Sequence, residues 1–194
     1  MRTGYDVIII GGGVVGCAIA RELSKYTADV CLLEREMDVA LGTSCRNSGV
    51  LHSGINYKPG TLRAKLAVRG NAMMDELCRD LKVKIKRIGK LTVALDKDDM
   101  PGLERIYEQG KANGAPGLEI IGPERMRQIQ PDVQGIAALW SPSSSIISPY
   151  GLTIALAENA KANGVDIRLD WSVAGVCLLP EGAGFEIRNE RGDV

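Results

Sequence analysis

The sequence predicts an α/β chain in which a parallel βαβ unit opens the fold and a β-rich segment interrupts it. Three observations predict this: residues 7–10 form a β-branched run, a glycine-rich turn follows them, and a second apolar run spans residues 30–33. A strand, turn, helix and second strand over about 30 residues form a βαβ unit. The rest of the chain supplies only about one further strand suited to a doubly wound sheet.

The charge balance and the apolar runs of the sequence argue against nucleic-acid-binding and membrane-spanning proteins. The 194 residues carry 24 Lys plus Arg and 24 Asp plus Glu, so no basic excess points to nucleic acid. No apolar run approaches the ~18 residues of a membrane helix. A strand begins almost at once after Met1, which leaves no room for a signal peptide. We therefore expect a cytoplasmic protein with at most peripheral membrane contact.

The five cysteines are odd in number and scattered, without a CxxC pair. Cys17 and Cys31 fall on parts of the βαβ unit predicted to be buried, where a thiol behaves as a small hydrophobic group. This pattern favours a reduced protein without a metal site.

The first turn, "GGGVVG", contains the pattern GxGxxG. We expect Gly11 to permit the tight turn, Gly13 to let a pyrophosphate approach the main chain, and Gly16 to let the helix lie close to the strand. The N–H groups at the start of the helix would face the phosphates. Glu34, at the end of the second strand, is placed to hold ribose hydroxyls. Together these features predict a dinucleotide site.

The middle of the chain alternates loop, helix and strand. Residues 42–54 are rich in Gly, Ser, Thr and Asn and predict a loop. Apolar spacing from Leu62 predicts a long helix that ends near Lys82. β-branched alternation then predicts one or two strands within residues 83–99. Two short helices follow, the second opened by Pro123.

The last part returns to helix and strand. Residues 135–151 predict strand, turn and strand, and the next helix places Leu152, Leu156 and Ala160 on one face. Two more strands follow, with a hairpin turn at Glu181 to Gly184. These changes divide the chain into three segments: 1–82, 83–148 and 149–194.

Two stretches of sequence resemble a known family. "DVIIIGGGVVGCAIARELSKY" followed by "LLERE" is similar to the FAD-binding start of the D-amino-acid-oxidase-like flavoenzymes. "GTSCRNSGVLHSGINYKPGTLRAKLAVRGN" resembles a block found in anaerobic FAD-dependent glycerol-3-phosphate dehydrogenases and, in large part, in L-2-hydroxyglutarate oxidases. The resemblance implies a Rossmann-like FAD-binding domain interleaved with an α+β substrate domain rich in antiparallel strands.

On this resemblance, residues 1–82 are the first part of the FAD-binding domain, 83–148 a substrate-domain insert, and 149–194 an incomplete return to the FAD-binding domain. The resemblance also assigns residues to FAD. Those at the pyrophosphate would be Gly11, Gly13, Val14, Val15, Gly16, Thr43 and Ser44. Those at the ribose, adenine and ribityl chain would be Glu34, Arg35, Val173, Asn47, Ser48 and Gly49.

His52, the single histidine, is the candidate catalytic residue. The resemblance places it near flavin and substrate, where it could take the proton of a secondary alcohol while hydride passes to the flavin. The alternative is a hydrogen-bonded loop residue without a catalytic role. Tyr57 and Lys58 are the neighbours most suited to face substrate.

Other polar residues carry weaker expectations. Lys58, Arg63, Lys65 and Arg69 could attract an anionic substrate, but basic side chains on a helix are more often a solvated face. Arg87 and Lys90 lie on a strand that lines the substrate side in the family. Nothing singles out Cys45 as a covalent flavin attachment point.

The resemblance implies oxidation of a small anionic hydroxy compound, most simply sn-glycerol 3-phosphate to dihydroxyacetone phosphate, with electrons passed to a quinone or a partner subunit. The alternatives are an L-2-hydroxyglutarate-type or amine oxidase, or a truncated FAD-binding fragment without turnover. Family members run to roughly twice this length or more, so we expect a fragment. Its open sheet edge would favour association between copies of the chain.

Overall fold

The computed structural model describes residues 4–193 (for residue 181, the backbone alone). Its α-helices, in chain order, are α1 Val14–Leu23, α2 Leu62–Asp80, α3 Met100–Ala112, α4 Pro123–Ile129 and α5 Pro149–Ala162. Its strands are β1 Val7–Ile10, β2 Val30–Leu33, β3 Val50–Leu51, β4 Ile85–Lys86, β5 Lys90–Ala94, β6 Glu119–Ile121, β7 Ala137–Ser141, β8 Ser145–Ile147, β9 Asp166–Arg168, β10 Val173–Leu178 and β11 Phe185–Asn189. Short 3-10 turns span Thr43–Cys45, Lys97–Asp99 and Pro180–Gly182.

The chain folds into two compact units. Unit 1 comprises the described residues of Met1–Ser48, Leu81–Val83 and Ser148–Val194, and unit 2 comprises Gly49–Asp80 and Lys84–Ile147. The sequence pattern placed the first boundary after residue 82, whereas residues 49–80 group with the second unit. The reason is long-range pairing, because β3 pairs with β8 in an antiparallel ladder.

Unit 1 contains the predicted βαβ unit. β1, β2 and β9 form a parallel sheet in the order β1-β2-β9, with Val7 opposite Val30 and Leu32 opposite Ile167. Every residue of β2 is buried, as expected for a parallel strand covered on both faces. Helices α1 and α5 pack against each other, and Leu152 on α5 is buried as predicted.

The apolar positions of α1 do not form its buried face. Val15 is 69% exposed and Ile19 is 46% exposed, whereas Cys17 and Ala20 are fully buried. The cause is the turn that precedes the helix, because a Cβ on Gly16 would lie only 2.0 Å from the Gly11 carbonyl oxygen. The helix side with the smallest residues therefore faces the turn, and the apolar residues at helical spacing, Val15 and Ile19, do not mark the buried side.

The C-terminal part of unit 1 is the predicted hairpin. β10 and β11 pair antiparallel, and the 3-10 turn Pro180–Gly182 connects them. Leu179 N–H donates to Gly184 O across this turn at 2.9 Å.

Unit 2 contains two antiparallel three-stranded sheets, ordered β3-β8-β4 and β5-β7-β6. The strands predicted in residues 83–99 and 135–151 are confirmed, but β7 and β8 lie in different sheets. β3 and β6 were not predicted, because strands of two or three residues carry too little alternation to be recognised. The core beside α3 contains Ile55, Leu103 and Leu139.

Helix α2 forms where the sequence predicted it, and its buried face again differs from the apolar pattern. Leu62 and Leu66 are exposed, while Ala64, Asn71 and Cys78 are buried. A buried asparagine must find hydrogen-bond partners. Within the part of the chain that the structure describes, no helix combines the length and apolarity needed to cross a membrane.

Candidate functional site

A cleft of about 320 Å³ opens in unit 1 at the carboxyl ends of β1 and β2. Open parallel sheets bind ligands at this end of their strands. The predicted cofactor residues that line it are Gly11, Gly13, Glu34, Arg35, Thr43, Ser44 and Val173. The predicted residues outside its lining are Val14, Val15, Gly16, Asn47, Ser48 and Gly49.

The glycine turn has the conformation that the GxGxxG spacing predicts. Gly11 has a φ of +106°, a backbone region that favours glycine. Its N–H donates to Leu33 O at 2.8 Å, which ties the turn to β2. The 2.0 Å approach of a Gly16 Cβ to Gly11 O shows that only glycine at position 16 lets α1 pack this closely.

Gly12 has a role that the motif did not reveal. Its N–H donates to Glu34 Oε2 at 2.5 Å, and a Cβ at this position would lie 3.0 Å from both Glu34 Oε2 and Val39 Cγ1. Gly12 therefore makes room for the acidic side chain. The middle one of the three consecutive glycines was the signal in the sequence, since GxGxxG leaves position 12 unspecified.

The N-terminus of α1 lies beside the cleft. Val14 N–H donates to Ser44 Oγ at 2.9 Å, and Cys17 N–H donates to Gly13 O at 2.9 Å. N–H groups of a first helical turn lack intrahelical acceptors and carry the positive end of the helix dipole. This end of α1, with the Thr43 and Ser44 hydroxyls, suits an anion such as a phosphate.

Glu34 connects the turn to the rest of the cleft. Its Oε1 accepts the Glu36 N–H at 2.9 Å, so both carboxylate oxygens are engaged by main-chain donors. Arg35 is exposed and pairs with Glu36 at 3.1 Å. Burial, followed by the negative charge of Glu34, raises the pKa of the Cys17 thiol to about 11. Cys17 is therefore a packing residue beneath the turn.

The segment between β9 and β10 forms another wall of the cleft. Glu34 N–H donates to Arg168 O and Trp171 N–H donates to Glu34 O, each at 2.9 Å. These bonds bring Trp171 and Ser172 into the lining beside Val173. The sequence pointed only to Val173, although the two preceding residues line the same wall.

The residues Asn47–Gly49 do not line the cleft. Asn47 Nδ2 donates to Ser44 O at 3.0 Å, so its amide caps the 3-10 turn Thr43–Cys45. Ser48 is exposed, and Gly49 is buried at the start of unit 2. Their contact with a ribityl chain stays a prediction.

Unit 2 carries His52 in a loop, residues 52–57, that we name the His52–Tyr57 loop. The His52 side chain is exposed, and its ring meets Tyr57 edge-on, with centroids 6.3 Å apart. The Arg63 guanidinium carbon lies 4.7 Å from the centroid of the Tyr57 ring, within range of a cation–π contact. The His52 imidazole, the Tyr57 phenol and the Arg63 guanidinium therefore lie side by side on this surface, with Tyr57 in the middle.

The remaining basic residues of unit 2 differ among themselves. Lys65 and Arg69 are exposed on α2, as expected for a solvated helix face. Arg87 forms an ion pair with Asp75 at 2.8 Å and donates to Asn71 Oδ1 at 2.8 Å. Its guanidinium is occupied by its own unit, which argues against the substrate-lining role suggested for Arg87 by resemblance.

Two curated relatives resemble the chain along most of its length. It is 48% identical over 174 residues to a glycerol 3-phosphate dehydrogenase of Caloramator mitchellensis, covering 89% of this chain and 36% of the relative. It is 36% identical over 179 residues to the mitochondrial L-2-hydroxyglutarate dehydrogenase of Homo sapiens, covering 91% of this chain and 39% of the relative. The chain thus spans less than half the length of these relatives.

Solved structures share the fold. The L-α-glycerophosphate oxidase of Mycoplasma pneumoniae, solved with FAD bound, superposes with a TM-score of 0.89 at 31% identity, covering 98% of this chain and 50% of that one. Glycine oxidase from Geobacillus kaustophilus has a TM-score of 0.86 at 23% identity, covering 97% of this chain and 52% of that one, and this likeness shows the fold alone.

The unit 1 cleft fits the adenosine diphosphate part of FAD. The glycine turn has room for a pyrophosphate at Gly13, where an added Cβ would meet only Ser44 Oγ, at 3.2 Å. The α1 N-terminus suits the phosphates, and Glu34 ends β2 where an acidic residue can hold a ribose. A model of the DAO family, described as FAD dependent oxidoreductase, matches residues 6–193, and the chain therefore belongs to that family.

Proposed function

We propose that the chain carries the FAD-binding and substrate-facing parts of a dehydrogenase that oxidises sn-glycerol 3-phosphate to dihydroxyacetone phosphate. The observation that carries the proposal is the 48% identity to the Caloramator glycerol 3-phosphate dehydrogenase over 89% of the chain. The chain covers only 36% of that relative, so the activity belongs to the proposal and not to the family assignment.

The residues of unit 1 would hold the cofactor. The α1 N-terminus, Gly13 and Ser44 would bind the pyrophosphate, and Glu34 would bind the ribose. Since Glu34 Oε2 already accepts the Gly12 N–H, we expect the carboxylate to be fixed in orientation before FAD arrives. FAD, when bound, supplies the two-electron acceptor for the hydride that leaves the substrate carbon.

The residues of unit 2 would act on the substrate. A neutral His52 imidazole can accept the hydroxyl proton at a ring nitrogen, which is the base that alcohol oxidation needs. Arg63 is held over the Tyr57 ring and offers a planar fork of donors to a phosphate. This arrangement supports an anionic hydroxy substrate.

L-2-hydroxyglutarate is the second candidate substrate. It is favoured by the L-2-hydroxyglutarate dehydrogenases among the relatives, including the human protein at 36% identity. Both candidates combine a secondary hydroxyl with an anionic group, so the same imidazole and guanidinium could serve either. An electron acceptor, whether a quinone or a partner subunit, and association between copies of the chain stay predictions.

An FAD titration of the purified chain tests the proposal. We expect a flavin band near ~450 nm that survives gel filtration and is bleached anaerobically by glycerol 3-phosphate. Bleaching by L-2-hydroxyglutarate alone would transfer the proposal to the second substrate. A chain that takes up FAD and is bleached by neither compound would favour the alternative of an FAD-binding fragment without turnover.

Variants locate the cofactor. Gly13→Val should abolish FAD uptake, because a branched side chain would occupy the place of the pyrophosphate. Glu34→Ala should weaken uptake by roughly 10- to 100-fold, the value of a charge-assisted hydrogen bond. Gly4→Val is the control, since nothing lies within 4 Å of a Cβ at that position. Full flavin occupancy in Gly13→Val would show that the cofactor binds elsewhere.

A further inference from the structure

We infer that three carboxamide side chains, those of Asn71, Gln109 and Asn113, are positioning residues that fix the His52–Tyr57 loop before substrate binds. Their catalytic meaning rests on the proposed function, whereas the geometry rests on hydrogen bonds within unit 2. Asn71 is the last residue of the stretch 42–71 that resembles the family, but the sequence suggested no role for any of the three.

Helix α3 and the residue that follows it hold the second half of the loop. Asn113 Nδ2 donates to Gly54 O at 2.9 Å and to Tyr57 O at 2.6 Å. Gln109 Nε2 donates to Ile55 O at 2.7 Å. An amide nitrogen has two hydrogens, so Asn113 places both on this loop. Its own oxygen is buried without a hydrogen-bond partner among the described residues.

Helix α2 holds the first half through Asn71. Asn71 Nδ2 donates to His52 O at 3.1 Å and to Ser143 O at 3.0 Å. Arg87 Nη1 donates to Asn71 Oδ1 at 2.8 Å. Because a guanidinium has only donors, Arg87 determines which end of the amide faces it and leaves the NH2 group for the two carbonyls. Asn71 is 6% exposed, which strengthens these bonds relative to surface ones.

The inward side of the loop is anchored as well. The Ser53 hydroxyl accepts from Ser141 Oγ at 2.8 Å and from Ser144 Oγ at 3.2 Å, and all three serines are buried. Ile55 is 2% exposed and packs in the core of unit 2. With Ser53 and Ile55 fixed inside, His52 is left on the outer surface of a loop that has little freedom to move.

Carbonyls of four of the six loop residues thus receive side-chain amide donors instead of strand or helix partners. A loop on the surface would ordinarily leave such carbonyls to water. Reacting groups held within about 0.5 Å of a productive geometry gain rate, and a displacement of 1 Å can cost about 100-fold. The carboxamides supply this rigidity to the loop that carries the imidazole and the phenol.

NMR of the chain tests the inference directly, because His52 is the single histidine and gives one set of imidazole signals. Asn71→Asp keeps the contact with Arg87 and removes the donors to His52 O, and Asn113→Asp removes the donors to Gly54 O and Tyr57 O. In each variant we expect the amide order parameters of residues 52–57 to fall from about 0.85 to below about 0.6. The His52 imidazole signal should move towards its position in unfolded chain.

Asn163→Asp is the matched control. It also loses an amide donor to a carbonyl, Asn159 O at 2.7 Å, but lies at the end of α5 in unit 1. If both substitutions in unit 2 leave the loop as ordered as the control does, the inference is wrong. Should either variant fail to fold, Gln109→Glu replaces it. This substitution removes the single hydrogen bond to Ile55 O, and the order parameters of residues 52–57 are measured in the same way.

The rate of flavin reduction by glycerol 3-phosphate supplies the second readout. We expect a decrease of about 10- to 100-fold at saturating substrate, with FAD affinity unchanged, since the residues that line the cleft lie in unit 1. A loosened loop with an unchanged rate would overturn the positioning role. Absence of bleaching in the unaltered chain would count against the proposed function, while the NMR result would still decide whether the carboxamides fix the loop.

Discussion

The cleft of unit 1 and the His52–Tyr57 loop of unit 2 are built by different means. The binding end of the cleft is a glycine turn, a helix N-terminus and one acidic residue that are close to each other in sequence, and only the wall at residues 171–173 comes from elsewhere. The loop is held by side chains from α2, which follows it, and from α3, which lies far from it in sequence, as in the 2.6 Å bond from Asn113 to Tyr57 O. The cleft depends on glycines, which have no side chain, and the loop depends on the carboxamide groups of particular side chains.

This difference determines how each region should tolerate change. A backbone site fails when any Cβ intrudes, so its glycines should be intolerant of even small substitutions. A site fixed by side-chain hydrogen bonds should lose order gradually, one donor at a time. The two regions can therefore be separated by mutation.

The largest effect should come from Gly16→Ala. Its Cβ would lie 2.0 Å from the Gly11 carbonyl oxygen, and backbone cannot yield as a flexible side chain can. We expect the free energy of unfolding to fall by about 3 kcal/mol or more, measured by urea unfolding followed by circular dichroism. Gly70→Ala within α2 is the control, since nothing lies within 4 Å of its Cβ. It should raise stability by up to about 1 kcal/mol. Equal unfolding midpoints for the two variants would contradict the packing described for α1.

A smaller effect is expected from Arg87→Met in unit 2. The substitution removes the ion pair with Asp75 and the bond that orients Asn71, and hydrogen bonds to charged groups contribute about 1.5–3 kcal/mol each. We expect a loss of stability in this range with FAD affinity unchanged. Arg188→Met, which removes an ion pair whose arginine is 58% exposed, should cost less than about 1 kcal/mol. A parallel loss of FAD affinity in Arg87→Met would show that the two regions are coupled.

The smallest effect should come from Asp166→Asn, a long-range polar contact in unit 1. Burial acts to raise the pKa of Asp166, but hydrogen bonds from Tyr5 and Arg168 outweigh it and lower the pKa below its usual value. A carboxyl group with a lowered pKa contributes stability above its ordinary pKa, near 4, and this contribution is lost as pH falls through the lowered value.

The Asp166 side chain is 43% exposed, so the difference from the unaltered chain at pH 7 should stay below about 1 kcal/mol. It should decrease as pH falls below the ordinary range of an aspartate and vanish in strong acid, in urea unfolding measured across pH. Asp98→Asn, at an exposed position, is the matched control for the loss of one acidic side chain. A difference that persisted in acid would rule out the ionised carboxylate as its source.

The sequence was informative where the physics is local. The turn at Gly11, the close approach at Gly16 and the acid at Glu34 follow from spacing within one βαβ unit, and all three lie where the pattern placed them. The exposed face of α1 was not predictable from spacing. Val15 and Ile19 have the spacing of a buried stripe, but the close approach of Gly16 to the glycine turn determines which side of the helix is buried.

The frame around the His52–Tyr57 loop was beyond the sequence for a different reason. Gln109 and Asn113 match no motif, and Asn71 is only the last residue of the stretch that resembles the family. The acceptors of all three are backbone carbonyls, which every residue has. Only the tertiary fold shows which carbonyls they meet. The burial of Asn71 in α2 could not be predicted from the apolar pattern, because the leucines that define that pattern, Leu62 and Leu66, are exposed.

The boundary of unit 2 has a consequence for folding. Ile147 N–H donates to Gly49 O at 3.0 Å, so the first and last residues of that unit are hydrogen-bonded to each other. The entropy lost on joining two chain ends rises with the length of the open loop between them. Once unit 2 has formed, the connection from Ser48 to Ser148 is short in space although long in sequence. Within it, only Leu81–Val83 belongs to unit 1. Strand β9 can then reach β2 with the entropic cost of a brief connection.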